Sequence, residues 1–471
     1  MRDHFITTSH FSFVSIKRLE ISRTVNQHGI ARIEGNIRDS DAEVYRAMLT
    51  KDVWLNISAK DGEGNTATLF WGIVTDFSLH NTVGNYELAV TVTTGTYLMD
   101  VLPHFRTYQN PEQSYDDIMR EMNRSYHKAD VSSNMLAKEP IEEFYLQNNE
   151  TDWEFIKRLS SKCGNYIVPS IQREGVIYFC GSPSTIIANH LTPKVILDES
   201  RQYEVRKNLA DYWKKREGGM SLLESDAISI IFSDRDIYDL LDPVQVEHQK
   251  YLITEIHSQY QGEQMIHTYT LQTPHGVQVL RQYNECHAGC SFLATITDIR
   301  RNEVQILVHG DENANQKVRR WFLFATIYSS PEGAGWYFMP EKGDTVRLHI
   351  PQMSESGAYV ISAVHMEGAQ HRQDPDIKSL KTIHGKEVRF TPDSIVITNN
   401  NGMSISLVDQ QGISIVSDKN ITIAAVENLW VSSDNGAIVV AGQDAVKINQ
   451  GGSSVTVKDD IIYTGGKMRM Q

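Results

Sequence analysis

The chain has 471 residues with 45 lysines and arginines against 59 aspartates and glutamates, a formal net charge of −14. At roughly 150 residues per domain this length implies about three domains, and an average surface this acidic repels a phosphate backbone, which argues against nucleic acid as a general partner. With 40% apolar and 22% charged residues the chain is too apolar to be disordered and can build packed cores. The start, Met1-Arg2-Asp3-His4-Phe5, lacks the apolar run of a secretory signal, and no stretch reaches the length of a membrane helix. Four cysteines, Cys163, Cys180, Cys286 and Cys290, do not make a disulfide framework in so long a chain. The expectation is synthesis and storage in the reducing cytoplasm, with any export by a non-secretory route.

Residues 1–105 read mostly as strands. Val53–Ile57 and Tyr86–Val92 alternate apolar and polar with the two-residue period of a half-buried strand, and Gly62–Asn65 and Val83–Asn85 supply turns. From Ser114 the period changes: Tyr115, Ile118, Met119 and Met122 fall on one helical face, with Ser114 as N-cap. A second helix follows Thr151, where Thr151-Asp152-Trp153-Glu154 reads as a capping box, and Cys163-Gly164 ends it. An α+β insert is thus expected over 106–199, within a hub domain spanning 1–285.

Strand periodicity returns from Ala227 to Gln272. Val74-Thr75-Asp76-Phe77 and Ile253-Thr254-Glu255-Ile256 are each followed by a polar turn with glycine and another alternating strand, which suggests two related β units, 1–105 and 200–285, flanking the insert. Residues 291–366 offer five short strands, Ala294–Ile299, Val304–Val308, Trp321–Ile327, Thr345–Ile350 and Tyr359–Val364, and fit a small five-stranded barrel of the OB type. A polar linker over 367–384 follows, too short to hide a catalytic domain.

From about 385 apolar-x-apolar triplets recur: Ile405 with Leu407, Ile413 with Ile415, Ile421 with Ile423, Leu429 with Val431, Ile438 with Val440, Val446 with Ile448, and Val455 with Val457. Their starts step by 8, 8, 8, 9, 8 and 9 residues, with turn formers between them. Three-residue strands bury too little to fold as a hairpin meander, and eight residues are too few to enclose a core in a single-chain solenoid. Three chains interleaved about one axis, each giving one side of a triangular prism, solve the geometry. The expectation is a homotrimeric rod with these fourteen residues inside, ending in Lys467, Met468, Arg469, Met470 and Gln471. The fold class is therefore mainly β: a β-barrel hub with an α+β insert, an OB-type barrel and an intertwined triple-stranded β-helix.

In this order of parts the chain resembles the VgrG family of type VI secretion and the tail hub plus spike of contractile phages, phage-tail-like bacteriocins and extracellular injection particles. The likeness rests on Thr94–Asp100 with Phe105–Asn110, on Asp152–Leu159 followed by Gly164 and Tyr166, on Trp336–Pro340 with Gly343–Val346, and on Lys381–Phe390 leading into the octads. It implies a trimeric, non-catalytic hub and membrane-piercing spike driven by sheath contraction. It also implies an inner tube protein and baseplate components as partners, and a PAAR-type tip protein or secreted effector at the far end. The short linker stands where the phage version carries a lysozyme-like domain, and the chain stops soon after the octads, so the resemblance implies an unarmed spike. It would be cytoplasmic before firing, then delivered outside or into a target cell through its envelope. The competing reading of the octads is the stalk of a receptor-binding fibre or adhesin.

Candidate sites are few. Cys286, His287 and Cys290 form the one cluster with soft metal ligands, but a zinc site needs about four and no second pair exists, so free thiols, no metal and no cofactor are expected. His309-Gly310-Asp311-Glu312 and Asp234-Arg235-Asp236 hold possible acid/base pairs, yet both read as turns. Lys214–Gly219 reads as a solvated basic loop, and Cys163 and Cys180 as small packing residues.

Overall fold

The computed structural model describes residues 5–467 and 469 apart from 49–51, 61–63, 83–84, 134–139, 142, 182–192, 194–195, 202–206, 209–210, 213, 215–221, 262 and 365–373. The expected turn residues Gly62, Glu63, Val83, Gly84 and Gly262, the basic run from Lys215, and Met468, Met470 and Gln471 fall outside the described residues. The chain divides into two compact units, Met1–Met366 and Glu367–Gln471. Among the described residues no helix is long and apolar enough to cross a membrane.

In the first unit, β1 (Phe5–Thr8), β2 (Ser15–Thr24), β3 (Ile30–Ile37), β4 (Trp54–Lys60), β5 (Thr66–Thr82) and β6 (Asn85–Thr93) form one half of an 11-stranded sheet. Their inward residues, among them Leu19, Ile33, Leu55, Phe70 and Leu88, are fully buried, as period-two alternation requires. Helix α1 (Asp39–Met48), between β3 and β4, has no counterpart in the sequence reading. Its acidic first turn, Asp39 and Asp41, suits a helix N-terminus, but only Ala42 and Tyr45 are buried, so its apolar face is faint.

The insert contains β7 (Pro103–Tyr108), α2 (Tyr115–Asn123), β8 (Asp130–Ser133), β9 (Tyr145–Thr151), α3 (Asp152–Ser161), β10 (Ile167–Pro169) and β11 (Ile177–Cys180) around its own core. Both expected N-caps are present. Ser114 and Asp117 close one reciprocal capping box, and Thr151 and Glu154 close the other.

The chain then returns to the large sheet with β12 (Ile196–Arg201), β13 (Ile228–Asp234), β14 (Pro243–Val246), β15 (Gln249–Gln261) and β16 (Gln264–Gln272). The first half is ordered β1-β4-β5-β6-β3-β2. The second is ordered β14-β15-β16-β13-β12, joined to the first by pairing of β2 with β15. The two central hairpins share one register at a constant offset of 179 positions, from Ile73↔Thr93 and Leu252↔Gln272 to Thr82↔Asn85 and Gln261↔Gln264. Each carries a bulge at the same place, one between Val74 and Asp76, the other between Ile253 and Glu255. At each bulge the intervening threonine hydroxyl, Thr75 or Thr254, donates to the carbonyl of Thr91 or Thr270. A bulge fixes register and bend, so this shared defect is much stronger evidence for two equivalent β units than alternation of residue types.

The first unit ends in a second, smaller sheet of β17 (Cys290–Arg300), β18 (Glu303–Val308), β19 (Phe322–Leu323), β20 (Thr345–Ile350) and β21 (Tyr359–Ile361), ordered β19-β18-β17-β20-β21. A parallel bridge, Phe324↔Val360, closes it into a barrel around Val304, Ile306, Val346 and Leu348. The strand expected over Trp321–Ile327 is only two residues long; beyond Leu323 the chain leaves the ladder.

The second unit holds two antiparallel meanders. The first is β22 (Lys378–Lys381), β23 (Glu387–Thr391), β24 (Ser394–Thr398), β25 (Met403–Val408) and β26 (Gly412–Ser417); the second is β27 (Val446–Gln450), β28 (Ser453–Val457) and β29 (Ile461–Thr464). β22 falls inside the stretch expected to be linker. Where triplets lie in strands, as in β25–β28, each strand has five or six residues and pairs with its neighbour in the same chain.

Candidate functional site

Side chains alternate across a strand, so the ladder of the first meander sorts its residues into two faces. Leu380, Val388, Ile397, Ile405 and Ile415 are successive cross-strand partners, and beside them run Phe390, Ile395, Leu407 and Ile413. All nine lie on one face. The opposite face carries Ser379, Arg389, Val396, Ser406 and Ser414. The second meander repeats the arrangement, with Val446, Val457 and Ile461 in one row and Ile448, Val455 and Tyr463 in the next.

The fourteen triplet residues expected inside a rod are not buried in the single chain, because these apolar faces have no second layer of their own. Ile413 is 73% exposed and Ile448 68%, and Ile405, Leu407, Ile415 and Val457 are exposed as well, with Val446 and Val455 half-buried. Between the meanders the triplets lie outside every strand. Ile421 and Ile423 belong to no strand, nor do Leu429 and Val431, nor Ile438 and Val440. All six are exposed, Ile423 at 68%, Val431 at 69% and Val440 at 71%. The physical reason is that a triplet with no neighbouring strand has neither a ladder to hold it nor a layer to cover it. Lys467 and Arg469, the described residues of the expected tip, are exposed too. A sheet with one apolar face must cover it, and backbone groups without partners must find them. One copy of this unit satisfies neither condition.

In the first unit, two polar clusters fasten the insert to the barrel. In one, Arg106 Nη1 donates to Asp152 at 2.6 Å and its Nε to Glu312 at 3.0 Å, while His104 Nδ1 lies 2.9 Å from Glu312. The backbone N–H and hydroxyl of Thr107 donate to the two oxygens of Asp311 at 2.9 and 2.5 Å. The other cluster is buried outright. Arg158 on α3 donates through Nε and Nη2 to the two oxygens of Glu150, at 2.7 and 2.8 Å, and through Nη1 to Glu355 of the barrel at 2.7 Å. Burial works against its charge, but the Glu355 and Glu150 carboxylates outweigh it and hold the guanidinium above its ordinary value. Phe144 and Leu146 of the insert complete the seam by joining the barrel core.

Of the cysteines expected to pack, Cys180 is buried but Cys163 is exposed. Asp311 and Glu312, candidates for acid/base work, belong to the cluster around Arg106 and Thr107, and Asp234 Oδ1 accepts the N–H groups of Arg235 and Asp236 in a turn. His287 is fully buried with Nδ1 3.6 Å from Glu355, and burial pushes its pKa down to about 4, assisted by Arg158 and opposed by Glu355. Cys286 is exposed and the Cys290 thiol donates to the Cys286 carbonyl at 2.8 Å. Among the described residues no three His, Cys, Asp or Glu side chains are grouped to hold a metal ion. Sequence reasoning named Arg106 and Asp152 only as parts of motifs and missed Glu150, Arg158 and Glu355 as a set. The available signal was an arginine three residues after Phe155 on a helix buried nearly all round.

Residues 32–195 match the family model described as phage tail baseplate hub (GPD), which runs from β3 through the insert. No curated protein matches the chain in sequence. Among solved structures, an E. coli protein is described as a component of the type VI secretion system similar in structure to the T4 bacteriophage tail proteins gp27 and gp5. It aligns with 77% of this chain and all of its own at 13% identity and a TM-score of 0.55. The half-lidded form of the Francisella PdpA-VgrG complex covers 88% of both chains at 10% identity and a TM-score of 0.57. The lidded form covers 86% of this chain and 76% of its own at 12% identity and a TM-score of 0.58. At these identities the likeness is one of fold.

Proposed function

We propose, taking as premise a chain with a baseplate-hub region and the fold of VgrG-like tail proteins, that it works as the homotrimeric hub and spike of a contractile injection machine. The observation that carries this reading is the second unit: two sheets with uncovered apolar faces, separated by three triplets that no strand of the chain pairs. Three copies around one axis would turn the uncovered faces inward as a triangular prism and supply the missing strand partners between the meanders. In this reading Ile405, Leu407, Ile423, Val431, Val440 and the other triplet residues become core only in the assembly, and the five-stranded barrel is of the OB type.

The duplicated β units support the hub half. Two equivalent units per chain, taken three times, give six similar positions, which suits docking of a three-fold spike onto a six-fold inner tube. Sheath contraction would supply the energy, with the prism contributing stiffness and a narrow tip for crossing an envelope. Other baseplate components and a PAAR-type tip protein or secreted effector would complete the assembly, stored in the cytoplasm before firing. From Gly385 onward the chain holds seven basic and nine acidic residues, so the rod itself carries little net charge as it meets an anionic membrane.

Native mass spectrometry of the full chain tests this directly. Three 53.5 kDa chains give a particle of about 160 kDa; a monomer at micromolar concentration overturns the prism and the function together.

A further inference from the structure

The chain crosses from the second β unit into the barrel through a short stretch that holds two of its four cysteines. Cys286 lies in a single turn of 3-10 helix, Glu285–His287, and Cys290 is the first residue of β17. Cys286 is exposed and Cys290 half-buried. The Cys290 thiol donates to the carbonyl of Cys286 itself at 2.8 Å, which sets its sulfur against the residue that carries the other one.

The backbone on either side is fixed. Asn284 accepts the Cys286 N–H through its side-chain oxygen at 2.9 Å and the His287 N–H through its carbonyl at 3.1 Å, and its own amide donates to the Asn148 carbonyl of the insert at 3.0 Å. His287, between the two cysteines, is fully buried. Gly289 turns the chain back with a φ of +78°, a left-handed value that glycine adopts without strain. Its N–H donates to the Ile350 carbonyl at 2.8 Å, beside the pairing of Cys290 with Ile350 in the barrel ladder.

We propose that Cys286 and Cys290 form a dithiol site that closes to an intrachain disulfide by exchange with a low-molecular-weight disulfide of the glutathione class. With one sulfur already touching the backbone of the other residue, closure needs rotation of two short side chains between staggered wells rather than movement of the ladder. The thiolate of Cys286, the more exposed of the two, attacks one sulfur of the small disulfide and releases its first thiol. The Cys290 thiolate then attacks the Cys286 sulfur of the mixed disulfide, forming the Cys286–Cys290 bond and releasing the second thiol. Two cysteine thiols are oxidised, one small disulfide is reduced to two thiols, and the two cysteine protons end on those thiols. Cys180 offers no such site: it is buried, and burial pushes its thiol up and keeps it protonated. The closed ring ties the last turn before the barrel to the first barrel strand, next to the seam where Glu355 lies 3.6 Å from His287. If storage is cytoplasmic, as in the function proposed above, the pair stays open in the reducing compartment and closes once the particle has left it.

The test is incubation of the full chain in mixtures of oxidised and reduced glutathione, followed by acid quenching, alkylation and tryptic mass mapping. Trypsin leaves Cys286 and Cys290 together in Gln282–Arg300, apart from Cys163 and Cys180. The expected result is that this peptide becomes lighter by two hydrogens and resistant to alkylation, with an equilibrium constant against glutathione about tenfold larger in the folded chain than in urea. Cys290→Ser should stop at a glutathione adduct on Cys286. A folded chain whose two cysteines carry separate glutathiones, link to another chain, or close no more readily than in urea overturns the site. The closure belongs to one chain, so a monomer by native mass spectrometry removes the proposed function and leaves this result untouched.

Discussion

The barrel and the first meander are both sheets of five antiparallel strands, and both alternate apolar with polar residues. In the barrel, Val304, Ile306, Val346 and Leu348 are completely buried; in the meander, Ile405, Ile413 and Ile415 stand in solvent. Closure accounts for the difference. The Phe324↔Val360 bridge curls the barrel sheet on itself, and Phe144 and Leu146 seal it from outside, whereas the meander has no further layer in its own unit. Alternation therefore tells which residues share a face, and only the covering layer tells whether that face is a core or a contact.

The sharpest way to break this comparison is to charge the open face. Ile405→Asp would set three carboxylates near the axis of the proposed prism, where unpaired buried charge costs several kcal/mol per copy. The expected outcome is complete loss of the trimer by native mass spectrometry. Ser406→Asp, one residue along and on the opposite face, should leave it intact. A trimer that survives Ile405→Asp would mean that the apolar face is not the contact.

Next in size is the seam that makes the barrel and insert one body. Arg158→Met strands Glu150 and Glu355 in the interior and should lower the stability of the first unit by about 3–5 kcal/mol, seen as a fall in the urea midpoint. The same seam gives a pH signature. His287 is held neutral by burial, with a pKa near 4 against an ordinary value of 6.5, so between those values the unfolded chain binds the extra proton. Stability contributed here is present above pH 6.5 and is lost as the pH falls toward 4, by about 3 kcal/mol over the window. Denaturant titrations of His287→Leu across that range should show a flatter profile than the parent.

The smallest effect compares the two β units with each other. Thr254→Val removes the hydroxyl bond to the Thr270 carbonyl and Thr75→Val those to the Thr91 carbonyl and the Thr93 hydroxyl, and each lost bond should cost about 0.5–1.5 kcal/mol. The larger loss is expected for Thr75→Val, measured by denaturation; a larger loss for Thr254→Val would show that the matched register hides different local packing.

Local signals were the ones legible in the sequence. Ser114 and Thr151 could be read as caps because a cap is settled by residues three positions apart, and β17, β18 and β20 of the barrel could be read from their alternation, whereas the Trp321–Ile327 run shrinks to the two residues of β19. The similarity of Val74–Phe77 and Ile253–Ile256 hinted at two units, but the shared register of the two hairpins is a property of pairing and leaves no mark in one strand. Arg106 and Asp152 stood out as residues of a motif, yet Glu312 joins them from 206 positions away in the chain, a distance over which spacing carries no information. The octads showed which residues align. They did not show that Ile405 and Ile413 lie within longer strands while Ile423, Val431 and Val440 lie in none; the only local difference is that Val408 and Val416 extend the first two triplets where Ala424, Ser432 and Ala441 follow the others.

The unpaired stretch between the two meanders has a kinetic consequence. The first unit possesses its cores within one chain, and its folding rate should be independent of concentration. Residues 419–445 have no strand partner in their own chain, and in a trimer their ordering becomes a step of association, dependent on concentration and slow when chains are scarce. Dilute refolding would then accumulate chains with finished first units and exposed apolar tails. These are the species in which aggregation competes with assembly, so the rod's reluctance to come apart would carry a matching reluctance to form.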